Sequence, residues 1–149
     1  MTTTVGTETT LEDLLTDLVQ LDYDAAEAYQ AAVDRLENAT YKSALTEFRE
    51  DHLRHTRELG ECLRAVGKAP PTEGDIKEFL TKGKVVIAGL GGDEAILRAM
   101  LSNEEDTVTA YDRAVKFKGA PDSVLDILER GDQDEHRHAE WIRATLEAS

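Results

Sequence analysis

Three carboxylates and three imidazoles fall where apolar side chains belong. Followed in steps of three and four residues, which share one helix face, a first stripe runs Leu11, Leu14 or Leu15, Leu18, Asp22, Ala25, Tyr29, Ala32 and Leu36. A second stripe, Leu45, Phe48, Leu59, Leu63 and Val66, is interrupted by His52 and His55. A third, Leu97, Met100, Val108, Tyr111 and Val115, is interrupted by Glu104, and a fourth, Leu128, Gly131, Ile142 and Leu146, by Glu135 and His138. One such residue is most simply a satisfied core group, but burying several ions together demands mutual pairing or a cation. Asp, Glu and neutral His are the donor set of a first-row ion such as iron, manganese or zinc. Six side chains suit two ions better than one, because carboxylates can bridge.

The elements that must position these residues are helices. Thr10 followed by Asp13 has the form of a capping box, and helical periodicity then runs from Leu11 to Leu36. A second helix is expected from about Thr40 to Val66, stopped by Gly67 and the Pro70-Pro71 pair. Residues 67–92 read as a long connection with a short helix over Ile76 to Leu90, ending at the Gly91-Gly92 hinge. A third helix is expected from Asp93 to about Lys118, broken by Gly119 and Pro121, and a fourth from about Asp122 to Leu146. Short loops make antiparallel neighbours, and a long one can travel the length of a bundle. The spacing therefore predicts an all-α, antiparallel four-helix bundle of two helical hairpins joined by one long crossover. Residues 1–10 are expected to form a flexible Thr-rich tail and 11–149 the bundle. Each interruption lies near the middle of its helix, so the six residues meet in one layer whichever way the helices run.

Glu135-His-Arg-His138 followed by Trp141, with Asp22 and Glu104 each seven residues before a tyrosine, Tyr29 and Tyr111, resembles the ferritin-like superfamily, in particular bacterioferritins and rubrerythrins. That resemblance implies a dinuclear site taking one acid from each of two helices and a Glu-x-x-His pair from each of the other two. It also implies that the two hairpins are diverged copies. The chain departs from the pattern at His52-Leu-Arg-His55, where a Glu-x-x-His is expected, and at Asp22, where Glu is usual; Asp51 or Glu50 is an alternative donor near His52.

Composition limits the partners. Acidic residues outnumber basic ones 31 to 17, for a net charge of −14, which disfavours nucleic acid and anionic membranes and favours cations. No apolar run is long enough for a bilayer and there is no secretory signal pattern, so a cytoplasmic protein is expected. The single cysteine, Cys62, allows no internal disulfide and reads as core filler. The glycines 89, 91 and 92 lack the Gly-Lys-Ser/Thr ending of a phosphate loop. Asp24, Glu27, Glu105, Asp106, Asp132, Asp134 and His136 lie off the stripes and read as solvated surface, although Glu27 is close enough to serve as an outer acid of the site.

Two functions follow as expectations. The first is a metal-binding protein holding two ions, iron before manganese or zinc, that reacts with oxygen or peroxide or handles iron; Asp22, His55, Glu104 and His138 would be terminal ligands, Glu135 a bridge, and His52 the remaining helix-two donor. The second is a non-enzymatic bundle, stress-related or assembly-forming, with structural zinc or a metal-free polar core. Homo-oligomers are compatible with both.

Overall fold

The computed structural model describes residues 3–73, 87 and 89–149. Among the described residues there are four long helices, α1 (Leu11–Arg35), α2 (Ala39–Ala65), α3 (Asp93–Ala114) and α4 (Asp122–Ala148), and no strand. The Thr10 hydroxyl accepts from the Asp13 N–H at 3.1 Å and starts α1, and Asn38 caps α2 by accepting from the Tyr41 N–H at 3.0 Å. Gly67, at φ +79°, ends α2. The Lys68 N–H then reaches back to the Leu63 carbonyl (2.9 Å) and the Gly67 N–H to that of Arg64 (3.0 Å), a Schellman closure that favours glycine. α3 stops earlier than its periodicity implies, because Lys116 and Phe117 donate to the carbonyls of Arg113 and Ala114 and tighten the last turn. Most of the expected helix over Ile76 to Leu90 lies outside the described residues.

α1 packs against α2 and α3, and α4 against the same two helices. The backbone N–H groups of Glu37 and Asn38, between α1 and α2, both donate to the Asp93 carboxylate at 2.9 Å, placing the start of α3 at that end. The Arg113 guanidinium, late in α3, donates to the carbonyls of Thr3 (2.7 Å) and Val5 (3.1 Å), just before α1. On α4, Arg130 donates to Glu58 of α2 (3.2 Å), and Trp141 meets Tyr41 edge to face. Each helix is thus antiparallel to both of its neighbours. Since α2 ends at the opposite end of the bundle from the start of α3, residues 66–92 join the two ends.

Residues 3–10 do not form the free tail that their composition implies. Val5 is buried against the end of α3, and Gly6 lies so close to Arg113 that a Cβ would come within 2.5 Å of the arginine Cβ. No helix among the described residues is long and apolar enough to cross a membrane.

The core forms two apolar clusters. One contains Val5, Leu14, Leu15, Leu18, Leu59, Leu63 and Leu128; the other contains Leu36, Leu45, Phe48, Ile87, Ile96, Met100 and Ile142. Cys62 packs, half-buried, on the edge of the first, and Trp141 on the edge of the second.

Candidate metal centre

Between those clusters lies one polar layer. Asp22 of α1, His52 and His55 of α2, Glu104 of α3, and Glu135 and His138 of α4 are all buried, none more than 3% exposed. Their potential donor atoms form two groups, each able to hold a metal ion: Asp22, His52, His55 and Glu135, and His52, Glu104, Glu135 and His138. His52 and Glu135 belong to both. All six residues expected at the site are therefore brought together.

In the first group, Asp22 Oδ1 lies 2.7 Å from His52 Nδ1 and 3.1 Å from His55 Nδ1. The Tyr111 hydroxyl donates to Asp22 Oδ2 at 2.6 Å. Glu135 Oε1 stands 3.4 Å from His55 Nδ1 and 3.6 Å from His52 Nδ1. In the second group, Glu104 Oε1 lies 2.6 Å from His138 Nδ1, and the Thr107 hydroxyl donates to Glu104 Oε2 at 2.6 Å. Both carboxylates are thus held on two sides, which fixes their orientation.

The outer nitrogens of two imidazoles are held as well. His55 Nε2 lies 2.9 Å from Asp134, and His138 Nε2 lies 2.8 Å from Asp51. Arg54 and Arg137 each pair with both of these aspartates and close the α2–α4 face. Asp51, expected as an alternative donor beside His52, instead contacts the outer nitrogen of His138, and Asp134, expected at the solvated surface, contacts that of His55; both are half-buried and orient these histidines. The missed signal is a repeat: Asp51-His52-Leu53-Arg54-His55 on α2 answers Asp134-Glu135-His136-Arg137-His138 on α4. In it, His52 stands where Glu135 stands. Asp24, also read as solvated, is buried.

Both oxygens of Glu135, His52 Nε2 and the Tyr29 hydroxyl are buried without a hydrogen-bond partner among the described residues. Buried polar atoms are normally satisfied, and a carboxylate with neither oxygen hydrogen-bonded at the junction of two donor groups fits a cation. The donor chemistry also fits, since oxygen and imidazole suit iron, manganese and zinc.

Without a cation, protons fill the deficit. Burial, reinforced by the adjacent Glu104, raises the Glu135 carboxyl to about 8 despite the neighbouring histidines. Burial works against charging His55, but Asp22 and Asp134 prevail and lift it to about 10. His52 and His138 are raised against burial in the same way, by Glu135, Asp22 and Glu104 for the former and by Glu104 and Asp51 for the latter. Asp22 and Glu104 stay low, the histidines outweighing their burial. Burial and the adjacent Asp22 push the Tyr111 phenol well up, so it remains a donor.

A smaller group, Asp112, Asp132 and His136, converges on the outer α3–α4 surface, with His136 Nε2 2.8 Å from Asp112 Oδ1. Its side chains reach solvent, so burial does not require a cation there.

Residues 10–117 match the family model described as a domain of unknown function (DUF2383). The match spans α1, α2 and α3, including Asp22, His52, His55 and Glu104, and stops before α4. No curated protein matches the chain.

Proposed function

The chain belongs to the DUF2383 family, and from that premise and the buried polar layer we propose that it is a ferritin-like metal-binding protein with a dinuclear centre. Asp22 and His55 serve one ion, Glu104 and His138 the other, and Glu135 and His52 lie between them. The observation that carries this reading is Glu135, fully buried, with neither oxygen hydrogen-bonded among the described residues, where two four-residue donor groups meet.

Iron or manganese is the fitting pair, and the chemistry supplied by two such ions is electron exchange with oxygen or peroxide, or the handling of iron itself. The chain's own residues orient and shield. Asp51 and Asp134 fix the rings of His138 and His55, Tyr111 and Thr107 fix Asp22 and Glu104, and Arg54 and Arg137 cover the α2–α4 face. The two apolar clusters keep bulk water from the layer.

A second reading is favoured by one observation. Three imidazoles, one of them at a position where the family resemblance calls for a carboxylate, suit a structural zinc ion.

Metal analysis by mass spectrometry on protein purified without an affinity metal separates these readings. About two iron or manganese ions per chain support the dinuclear centre, and one zinc supports the structural site. No metal after anaerobic iron loading overturns both. Unchanged metal content in the His55→Ala, His138→Ala double variant would show that the site lies elsewhere.

A further inference from the structure

We propose that His52 spans the two metal positions, presenting one ring nitrogen to each, so that an imidazole and a carboxylate bridge the centre instead of two carboxylates. This deepens the dinuclear reading and rests on it.

The argument begins with what the ring faces. His52 is fully buried, and the carboxylates within ion-pair reach of it, among the described residues, all belong to the polar layer. Nδ1 lies 2.7 Å from Asp22 Oδ1 and 3.6 Å from Glu135 Oε1, in the first donor group. Nε2 points the other way, 3.7 Å from Glu104 Oε2 in the second group, and has no hydrogen-bond partner. The ring is nearly equidistant from the two other site histidines, with centroids 5.6 Å from His55 and 5.3 Å from His138.

His55 and His138 behave differently. Each turns Nδ1 inward and holds Nε2 against an outer aspartate, Asp134 or Asp51, the usual arrangement of a terminal histidine ligand. Among the described residues, His52 has no outer acceptor of this kind. Its place in the repeated segment is that of Glu135, the bridging candidate in the other hairpin.

A ring that bridges presents both nitrogens and carries no N–H, whereas the outer nitrogens of His55 and His138 stay directed to Asp134 and Asp51.

The test uses the full chain loaded with cobalt(II) and proton NMR in H2O and D2O. Ring N–H protons of cobalt-bound histidines appear as strongly shifted, solvent-exchangeable resonances. The chain is expected to bind two cobalt(II) ions and to show such resonances from His55 and His138 only. A third exchangeable ring resonance that disappears in His52→Ala overturns the bridge while leaving the dinuclear centre standing. Fewer than two bound ions overturns the dinuclear reading and the bridge with it. In a parallel measurement, His52→Glu, which puts a carboxylate back at the bridging position, is expected to retain both ions, whereas His52→Ala loses at least one. Retention of two ions by His52→Ala with undiminished affinity also overturns the bridge.

Discussion

Gly131 of α4 faces the edge of the Tyr111 ring so closely that a Cβ on the glycine would lie 2.5 Å from Tyr111 Cε1. The missing side chain is what lets the edge of the Tyr111 ring approach α4 while its hydroxyl reaches Asp22. Gly131→Ala should displace the ring, break the 2.6 Å contact with Asp22 and destabilise the fold by about 1–3 kcal/mol, the usual range for overpacking. Tyr111→Phe keeps the packing and removes only the hydroxyl, so a smaller loss of about 1–2 kcal/mol is expected. Urea unfolding of both variants checks this, and an unchanged midpoint for Gly131→Ala would refute the close contact.

Glu135→Gln should have opposite effects with and without metal. In chelator the carboxyl is held largely as the neutral acid, its pKa near 8, and Gln supplies a neutral group of the same shape. Metal-free unfolding should therefore change little or shift toward greater stability, while bound metal is lost. A variant that keeps its full metal complement would remove Glu135 from the site.

The metal-free chain should lose stability as pH rises. Glu135 and His55 both have folded pKa values raised above their ordinary 4.5 and 6.5, to about 8 and about 10. Each contributes stability that is complete below its ordinary value and is lost as pH climbs through the folded one. Melting in chelator should accordingly fall between pH 7 and about 10. Metal-loaded protein should lack most of that slope, because cations replace the protons. Parallel slopes in the two samples would contradict this account.

Asp51→Asn and Asp134→Asn should weaken metal binding without changing its stoichiometry. These residues touch His138 and His55 on the side away from the cluster, and loss of such an orienting partner typically lowers affinity about 10–100-fold. Competition against a calibrated chelator reads this directly. Wild-type affinity in both variants would leave the repeated aspartates with a purely structural role in the pairing with Arg54 and Arg137.

The docked N-terminus should loosen near neutral pH. Burial and a shared hydrogen bond with Asp17 raise Glu8 to about 7, while its Oε1 also accepts from the Gly6 N–H at 2.8 Å. The contribution of the protonated form is complete below 4.5, the ordinary value, and disappears as pH passes 7. Amide exchange at Val5 and Gly6, corrected for intrinsic rates, should therefore show less protection at pH 8 than at pH 5; equal protection would count against it.

Much of this arrangement was legible in the sequence, for a specific reason. Helical periodicity is strict where a face is buried, so Asp22, His52, His55, Glu104, Glu135 and His138 were visible as violations of otherwise apolar stripes, and mid-helix positions meet irrespective of direction. The orienting role of Asp51 and Asp134 escaped because each sits one residue off its stripe, where an acid is ordinary, and Asp51 reads there only as an alternative donor; the repeated Asp-x-x-Arg-His spacing, compared between hairpins, marks the pair. The docking of residues 3–10 depends on one apolar side chain, Val5, and on a distant arginine, Arg113, and no local pattern encodes that contact. Asp24 is buried although its neighbours gave it the look of a solvated position.

Each donor group draws on both hairpins: Asp22, His52 and His55 need Glu135 from α4, and Glu104, Glu135 and His138 need His52 from α2. Neither hairpin carries a complete set by itself. A cation held there would act as a clasp, its binding free energy adding to the adhesion of one hairpin to the other. Chelation and the parting of the two halves would then be coupled: drawing out the ion lowers the force needed to peel them apart, and holding them together tightens the grip on the ion.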